Sequence, residues 1–186
     1  LAAALRESRA TTLALLDAAA AALGAGLVVP YSSQVNPPLW ETGHVAWFQD
    51  YWIARNRQRE RGLRCDPDHA RPAGRLPQAD ALYNSSRVAH AARWSLPLPD
   101  LAATRDYLAE SLAETLGLLA RTPETDEALY FHRLALFHED MHAEAAIYTA
   151  QALDIPLPAG LIRPAAALPA NRSEEHTSEL QSRSDL

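Results

Sequence analysis

Four segments of this chain repeat apolar residues at helical spacing, and none alternates apolar and polar residues as a half-buried strand does. The first covers roughly 1–24, where Leu13, Leu16, Ala20 and Leu23 share a face and Gly24 and Gly26 supply a stop. The second opens after Asn36-Pro37-Pro38 and is expected to run to about Arg61. Proline suits that start, because its missing N–H would have no partner in a first turn anyway. The third starts at Asp100, behind Pro99, carries Leu108, Leu112, Leu116 and Leu119 on one face, and ends near Arg121. The fourth starts near Thr122-Pro123-Glu124 and ends near Asp154. Between the second and third lies a connection, 62–99, in which seven residues are Pro or Gly. Helices with apolar faces must bury them on one another. The pattern therefore predicts an all-α four-helix bundle with a long loop between helices two and three.

Charge and composition exclude several classes. With 17 basic and 23 acidic residues the net charge is −6, so the surface is unsuited to nucleic acid or an anionic membrane. No run of apolar residues is long enough for a transmembrane span. Arg6 and Arg9 precede an apolar run in the manner of a signal peptide. Asp17 interrupts that run and no cleavage site follows it, so the segment reads as an amphipathic helix. The single cysteine rules out a disulfide scaffold and fits a reducing, cytoplasmic setting. Every basic residue is Arg and Ala is abundant, which we attribute to a GC-rich genome.

The strongest chemical signal is HEDMHAE, His138 to Glu144. His138 and His142 are four apart, so on a helix they share a face and can bind one metal ion. The expected inward stripe of that helix is Leu134, His138, Met141, Ala145, Tyr148 and Ala152. On the second helix Trp40, His44, Trp47 and Tyr51 also recur at helical spacing, which sets His44 in an aromatic stripe facing the core. A buried imidazole needs a hydrogen bond or a metal. Three inward histidines from two helices could hold one metal and leave positions open. Such a set suits Fe, Zn, Ni or Cu, not Mg or Ca.

His138-Glu139-Asp140-Met141-His142 also matches HExxH, in which Glu139 would be the general base of a zinc peptidase. The extended forms fail, since Ala145 and Tyr148 stand where the glycine and third histidine would be. In the long loop, Arg87 and Arg93 lie near His90 and Trp94, and arginine suits carboxylates. His69, His132 and Cys65 have no partner visible in sequence and read as surface or incidental.

The chain starts at Leu1, and 172–182 reads RSEEHTSELQS, which resembles a translated sequencing adapter. We therefore expect a bundle over 1–154, a Pro-rich linker over 155–171 and a non-native tail over 172–186.

The run NPPLWETGHVAWFQDYW (36–52), the stretch DALYNSSRVAHAARWSLPLPD (80–100) and ALFHEDMHAEA (135–145) together resemble, in order, the N-terminal domain of the EgtB-type sulfoxide synthases of ergothioneine biosynthesis and of the related selenoneine synthases. The resemblance covers nearly all of 1–171. It implies a DinB-like four-helix bundle holding Fe(II) through His44, His138 and His142. It also implies a reaction in which O2 is used to join a thiol or selenol donor to the imidazole C2 of hercynine. An arginine pair in the corresponding loop binds γ-glutamylcysteine in some members. Arg93 matches one of that pair, but the position three residues earlier is His90, which leaves a selenosugar or another thiol open as the donor. Members also carry a C-terminal formylglycine-enzyme-like domain with the catalytic tyrosine. The expectation is that 1–171 binds metal and does not turn over without that domain. The alternative is a free-standing DinB-like metal-dependent thiol transferase or hydrolase.

Overall fold

The structure, a computed structural model, describes residues 1–161. It is helical throughout, with no strand among the described residues. The long helices are α1 (Ala2–Leu23), α2 (Pro38–Gln49), α4 (Leu101–Leu119) and α5 (Asp126–Ala152), and the long connection contains a short α3 (Ala79–Tyr83). Each of the four long helices touches the other three, which is the expected bundle.

Local chemistry sets the boundaries. Pro38 occupies the first turn of α2. The Asp100 side chain caps α4 by accepting from the Ala103 N–H at 2.8 Å. Thr125, rather than the Thr122-Pro123-Glu124 expected from sequence, caps α5 by accepting from the Ala128 N–H. The second helix does not reach Arg61. After Gln49 it widens into a π-helical turn, Asp50–Ala54, and a separate 3-10 helix follows at Arg59–Arg64. That wider turn brings Asp50 inward and frees Arg55 to grip the long connection. Arg55 makes a paired hydrogen bond to Asp80 at 2.7 and 2.8 Å and donates to the Pro72 carbonyl.

The main core joins Leu16, Trp40, Val45, Trp47, Tyr83, Tyr107 and Leu108. A smaller cluster forms around Ile53, Phe131 and Ala135, with Trp52 stacked on Phe131 at 5.4 Å. Two expected faces are rotated. On α4 the most buried line is Thr104, Tyr107, Leu108, Ser111 and Thr115, and Leu112, Leu116 and Leu119 only flank it. On α5 Met141, Tyr148 and Ala152 are exposed, Ala145 is buried as expected, and the inward line runs through Phe131, His132, Ala135, Glu139, Ala143 and Ala150.

The α5 rotation has a specific cause. Glu139 is fully buried in an ion pair with Arg9 of α1, at 2.6 Å to Oε1 and 3.1 Å to Oε2. Thr12 and Gln49 donate to the same carboxylate, and Arg9 also reaches the Leu108 carbonyl. His132, which sequence placed on the surface or as incidental, is also fully buried, because it shares this inward line. Residues 155–161 continue past α5 and end in a short 3-10 helix, Ala159–Leu161. The remainder of the expected linker, 162–171, and the tail, 172–186, lie outside the described residues.

Candidate metal centre

Helix α2 delivers His44 into the core between two tryptophans. Trp40 lies nearly parallel to its ring at 5.0 Å and Trp47 at 5.5 Å, a consequence of the helical repeat of these three residues. Close approach of the long connection completes the clamp. Gly43 has no side chain, and a Cβ there would sit 2.4 Å from the Tyr83 ring. Tyr83 can therefore lie against α2, where its carbonyl oxygen accepts from His44 Nδ1 at 2.8 Å. That hydrogen bond puts the proton on Nδ1 and leaves Nε2 bare.

Helix α5 delivers the other two rings. His138 stacks on Phe48 at 3.6 Å. His142 Nδ1 lies 2.8 Å from Glu41 Oε1. A carboxylate can only accept, so Nδ1 is the donor here too, and Nε2 is the atom turned towards the other two rings. The Nε2 of His138 lies 3.2 Å from that of His44 and 3.2 Å from that of His142. The three ligand atoms all fall within 4.8 Å of one another.

This arrangement fits a metal ion. His138 Nε2 carries either one proton or one lone pair, so it cannot make a full hydrogen bond to both neighbours, and the cluster is not satisfied by hydrogen bonds alone. A cation at the centre would satisfy all three nitrogens. Bonds of about 2.0–2.1 Å from imidazole to such a cation require nitrogen separations of about 2.8–3.4 Å, and the two separations made by His138 are 3.2 Å. Burial, with the neighbouring His142 adding to it, pushes His44 down to about 3, and burial with both neighbours pushes His138 down to about 2. Both rings are therefore held neutral, as ligation requires.

The triad lies on a pocket of about 620 Å³ walled by Trp47, Phe48, Tyr51 and Trp52. Arg87 and Arg93 line this pocket, and His90 does not. His90 instead contacts the Val35 carbonyl at 3.1 Å and packs edge-on to Trp94. Arg93 lies 3.9 Å over the Trp40 ring and donates to Asn36 Oδ1 at 2.6 Å. Burial lowers its pKa, opposed by Glu41.

Glu139 is turned away from the triad by its ion pair with Arg9, so HExxH does not supply a general base here. Cys65 and His69 approach each other at 3.9 Å, and Cys65 also meets Asn56. Sequence reasoning missed Glu41, although its signal was present. It lies three residues before His44, one turn away along the same helix.

Comparison with known proteins gives a consistent picture. The family model described as the DinB superfamily matches residues 4–150. The hercynine oxygenase of Mycobacterium tuberculosis is 29% identical over 166 residues, covering 89% of this chain and 35% of that protein. The hercynine oxygenase of Mycolicibacterium smegmatis is 30% identical over 141 residues, covering 70% of this chain and 30% of that protein. The chain thus spans about a third of the length of these relatives. No helix among the described residues is long and apolar enough to cross a membrane.

Proposed function

This chain belongs to the DinB superfamily, and from that premise we propose that it is the metal-holding domain of an iron(II)- and O2-dependent synthase. The proposed reaction joins a thiol or selenol donor to the imidazole C2 of hercynine, in ergothioneine or selenoneine biosynthesis. The observation that carries the reading is the convergence of three histidine Nε2 atoms, with the Nδ1 of His44 held by the Tyr83 carbonyl and that of His142 by Glu41. The similarity to proteins named hercynine oxygenase supports the substrate.

Iron(II), when bound, supplies one-electron chemistry towards O2 and open positions for a sulfur or selenium donor. His44, His138 and His142 would hold it. The Tyr83 carbonyl and the Glu41 carboxylate fix two of those rings in the ligating tautomer. Arg93 and Arg87 offer fixed positive charge to a carboxylate on the donor or on hercynine. The aromatic wall gives the same space an apolar side. His90 is engaged with Val35 and would act only by holding the loop that carries Arg93.

Because the relatives are about three times as long as the matched region, we assign the complete reaction, including its further substrate contacts, to a longer protein. The burial of Glu139 against Arg9 favours this reading over a metallopeptidase. A DinB-like thiol transferase or hydrolase would share the triad but need no O2.

The test is an anaerobic Fe(II) titration. One iron per chain is expected, lost in His138→Ala. Failure of the intact chain to bind Fe(II) rejects the proposal. Metal binding by this chain, with no O2 uptake by the longer protein given hercynine and a thiol or selenol donor, would instead favour the transferase or hydrolase.

A further inference from the structure

Arg93 reaches two of the three histidines by separate routes. Its guanidinium covers Trp40, and Trp40 stacks on His44. Its Nη1 donates to Asn36 Oδ1 at 2.6 Å. Asn36 Nδ2 in turn donates, at a longer 3.4 Å, to Glu41 Oε1. That same oxygen accepts from His142 Nδ1 at 2.8 Å. The chain Arg93–Asn36–Glu41–His142 is thus continuous from the pocket to the metal site. Arg93 also has capacity to spare. Its Nη2 makes only a long 3.5 Å contact with the Val88 carbonyl, and no carboxylate among the described residues hydrogen-bonds to the guanidinium.

We propose that Asn36 and Glu41 are positioning residues that relay the occupancy of Arg93 by a carboxylate-bearing ligand to His142, so that ligand and metal strengthen each other's binding. The proposal rests on the triad being a metal site. With Arg93 unoccupied, its charge draws on Asn36 and, through it, on the Glu41 oxygen that His142 needs. An anion on Arg93 neutralises that charge. Glu41 then becomes the stronger acceptor, His142 Nδ1–H is polarised further, and Nε2 becomes the better donor to a metal. The coupling must be reciprocal, since it is a free energy between two binding events.

A bound anion also attracts a cation directly through space, so the relay must be separated from that attraction. Asn36→Ala does this. It cuts the hydrogen-bonded path and leaves Arg93, Glu41 and all three histidines in place. The probes are Co(II), with its free concentration held by a metal buffer, and glutarate as a plain dicarboxylate. In the unaltered chain, saturating glutarate should tighten Co(II) binding by about five- to tenfold, within the usual range of coupling, and shift the visible Co(II) spectrum. In Asn36→Ala, Co(II) should still bind, and glutarate should tighten it at least about threefold less than in the unaltered chain, the remainder being the direct attraction of anion for cation. Arg93→Gln should lose glutarate binding and coupling together. Full coupling in Asn36→Ala, or none in the unaltered chain, overturns the relay while leaving the metal site standing. No Co(II) binding in the unaltered chain overturns the metal reading and the relay with it.

Discussion

Glu41 Oε1 and His142 Nδ1 stand 2.8 Å apart, tying the first turn of α2 to the histidine-bearing side of α5. The contact orients the His142 ring through its Nδ1–H, and it is made by a residue buried to 6% exposure. Replacing Glu41 by Gln keeps the shape and removes the charge. Its amide can donate as well as accept, so the ring is no longer held in one tautomer. Glu41→Gln should therefore weaken metal binding by about 10–100-fold, the usual effect of losing such a partner. Competition against a chelator of known affinity measures it. Unchanged affinity would mean that His142 does not depend on Glu41.

Glu139 leads to the opposite expectation, stability lost with the metal site spared. Glu139→Gln leaves Arg9 charged, buried and without its carboxylate, which should cost about 3–5 kcal/mol. Removing both charges in Arg9→Met/Glu139→Leu should cost less than the single change, because no unpaired charge remains. Urea denaturation of the three proteins gives the comparison. Metal affinity of folded Glu139→Gln should match the unaltered chain, whereas a general base or ligand at 139 would alter the site directly.

These two carboxylates show where sequence reading succeeded and where it stopped. The stripe Trp40, His44, Trp47 was legible because its members repeat on one helix, and the pair His138 and His142 for the same reason. The inward face of α5 was not. A Glu among apolar residues reads as solvent-facing, and its partner Arg9 lies 130 positions earlier, on α1. Pairing them turns the helix so that Met141 and Tyr148 face out, against their apolar character. Likewise Thr104, Ser111 and Thr115 occupy the α4 core line that the leucine repeat had claimed. Hydroxyls that bond back to nearby carbonyls, as Ser111 does to Leu108 and Thr104 to Pro99, can be buried without a distant partner, whereas the Thr115 hydroxyl is buried with none. The π-helical turn after Gln49 has no periodicity signature, so the end of α2 could not be read from spacing.

Gly43 tests how closely the long connection must approach. In an open helix Gly→Ala should stabilise by about 1 kcal/mol through propensity alone. Here the added Cβ would meet the fully buried Tyr83 ring at 2.4 Å. Overpacking of that kind costs about 1–3 kcal/mol, so the net effect of Gly43→Ala should be destabilising. Displacing Tyr83 also pulls its carbonyl from His44 Nδ1, so metal affinity should fall in the same variant. A stabilised Gly43→Ala with full metal affinity would contradict the packing.

His132 should make the protein acid-sensitive without touching the metal site. Its ring is fully buried, Nδ1 has no partner, and Nε2 has only a long 3.4 Å contact with Thr122 Oγ1. Burial, with a smaller push from Arg59, lowers it from its ordinary 6.5 to about 4. Above pH 6.5 both folded and unfolded chains carry a neutral ring, and the stability is complete. Between 6.5 and 4 the unfolded chain takes a proton that the folded chain refuses. Stability then falls with falling pH by up to about 1.4 kcal/mol per pH unit from this residue. Below 4 both states are protonated and the loss levels off. His132→Phe removes the titrating group while keeping an aromatic ring. Its denaturation free energy, measured without metal from pH 6.5 down to 4.5, should fall less steeply by up to one proton. The slope should not vanish, because His44 and His138 are also held neutral. An identical slope in both proteins would show that His132 takes up its proton equally in the folded and unfolded chains.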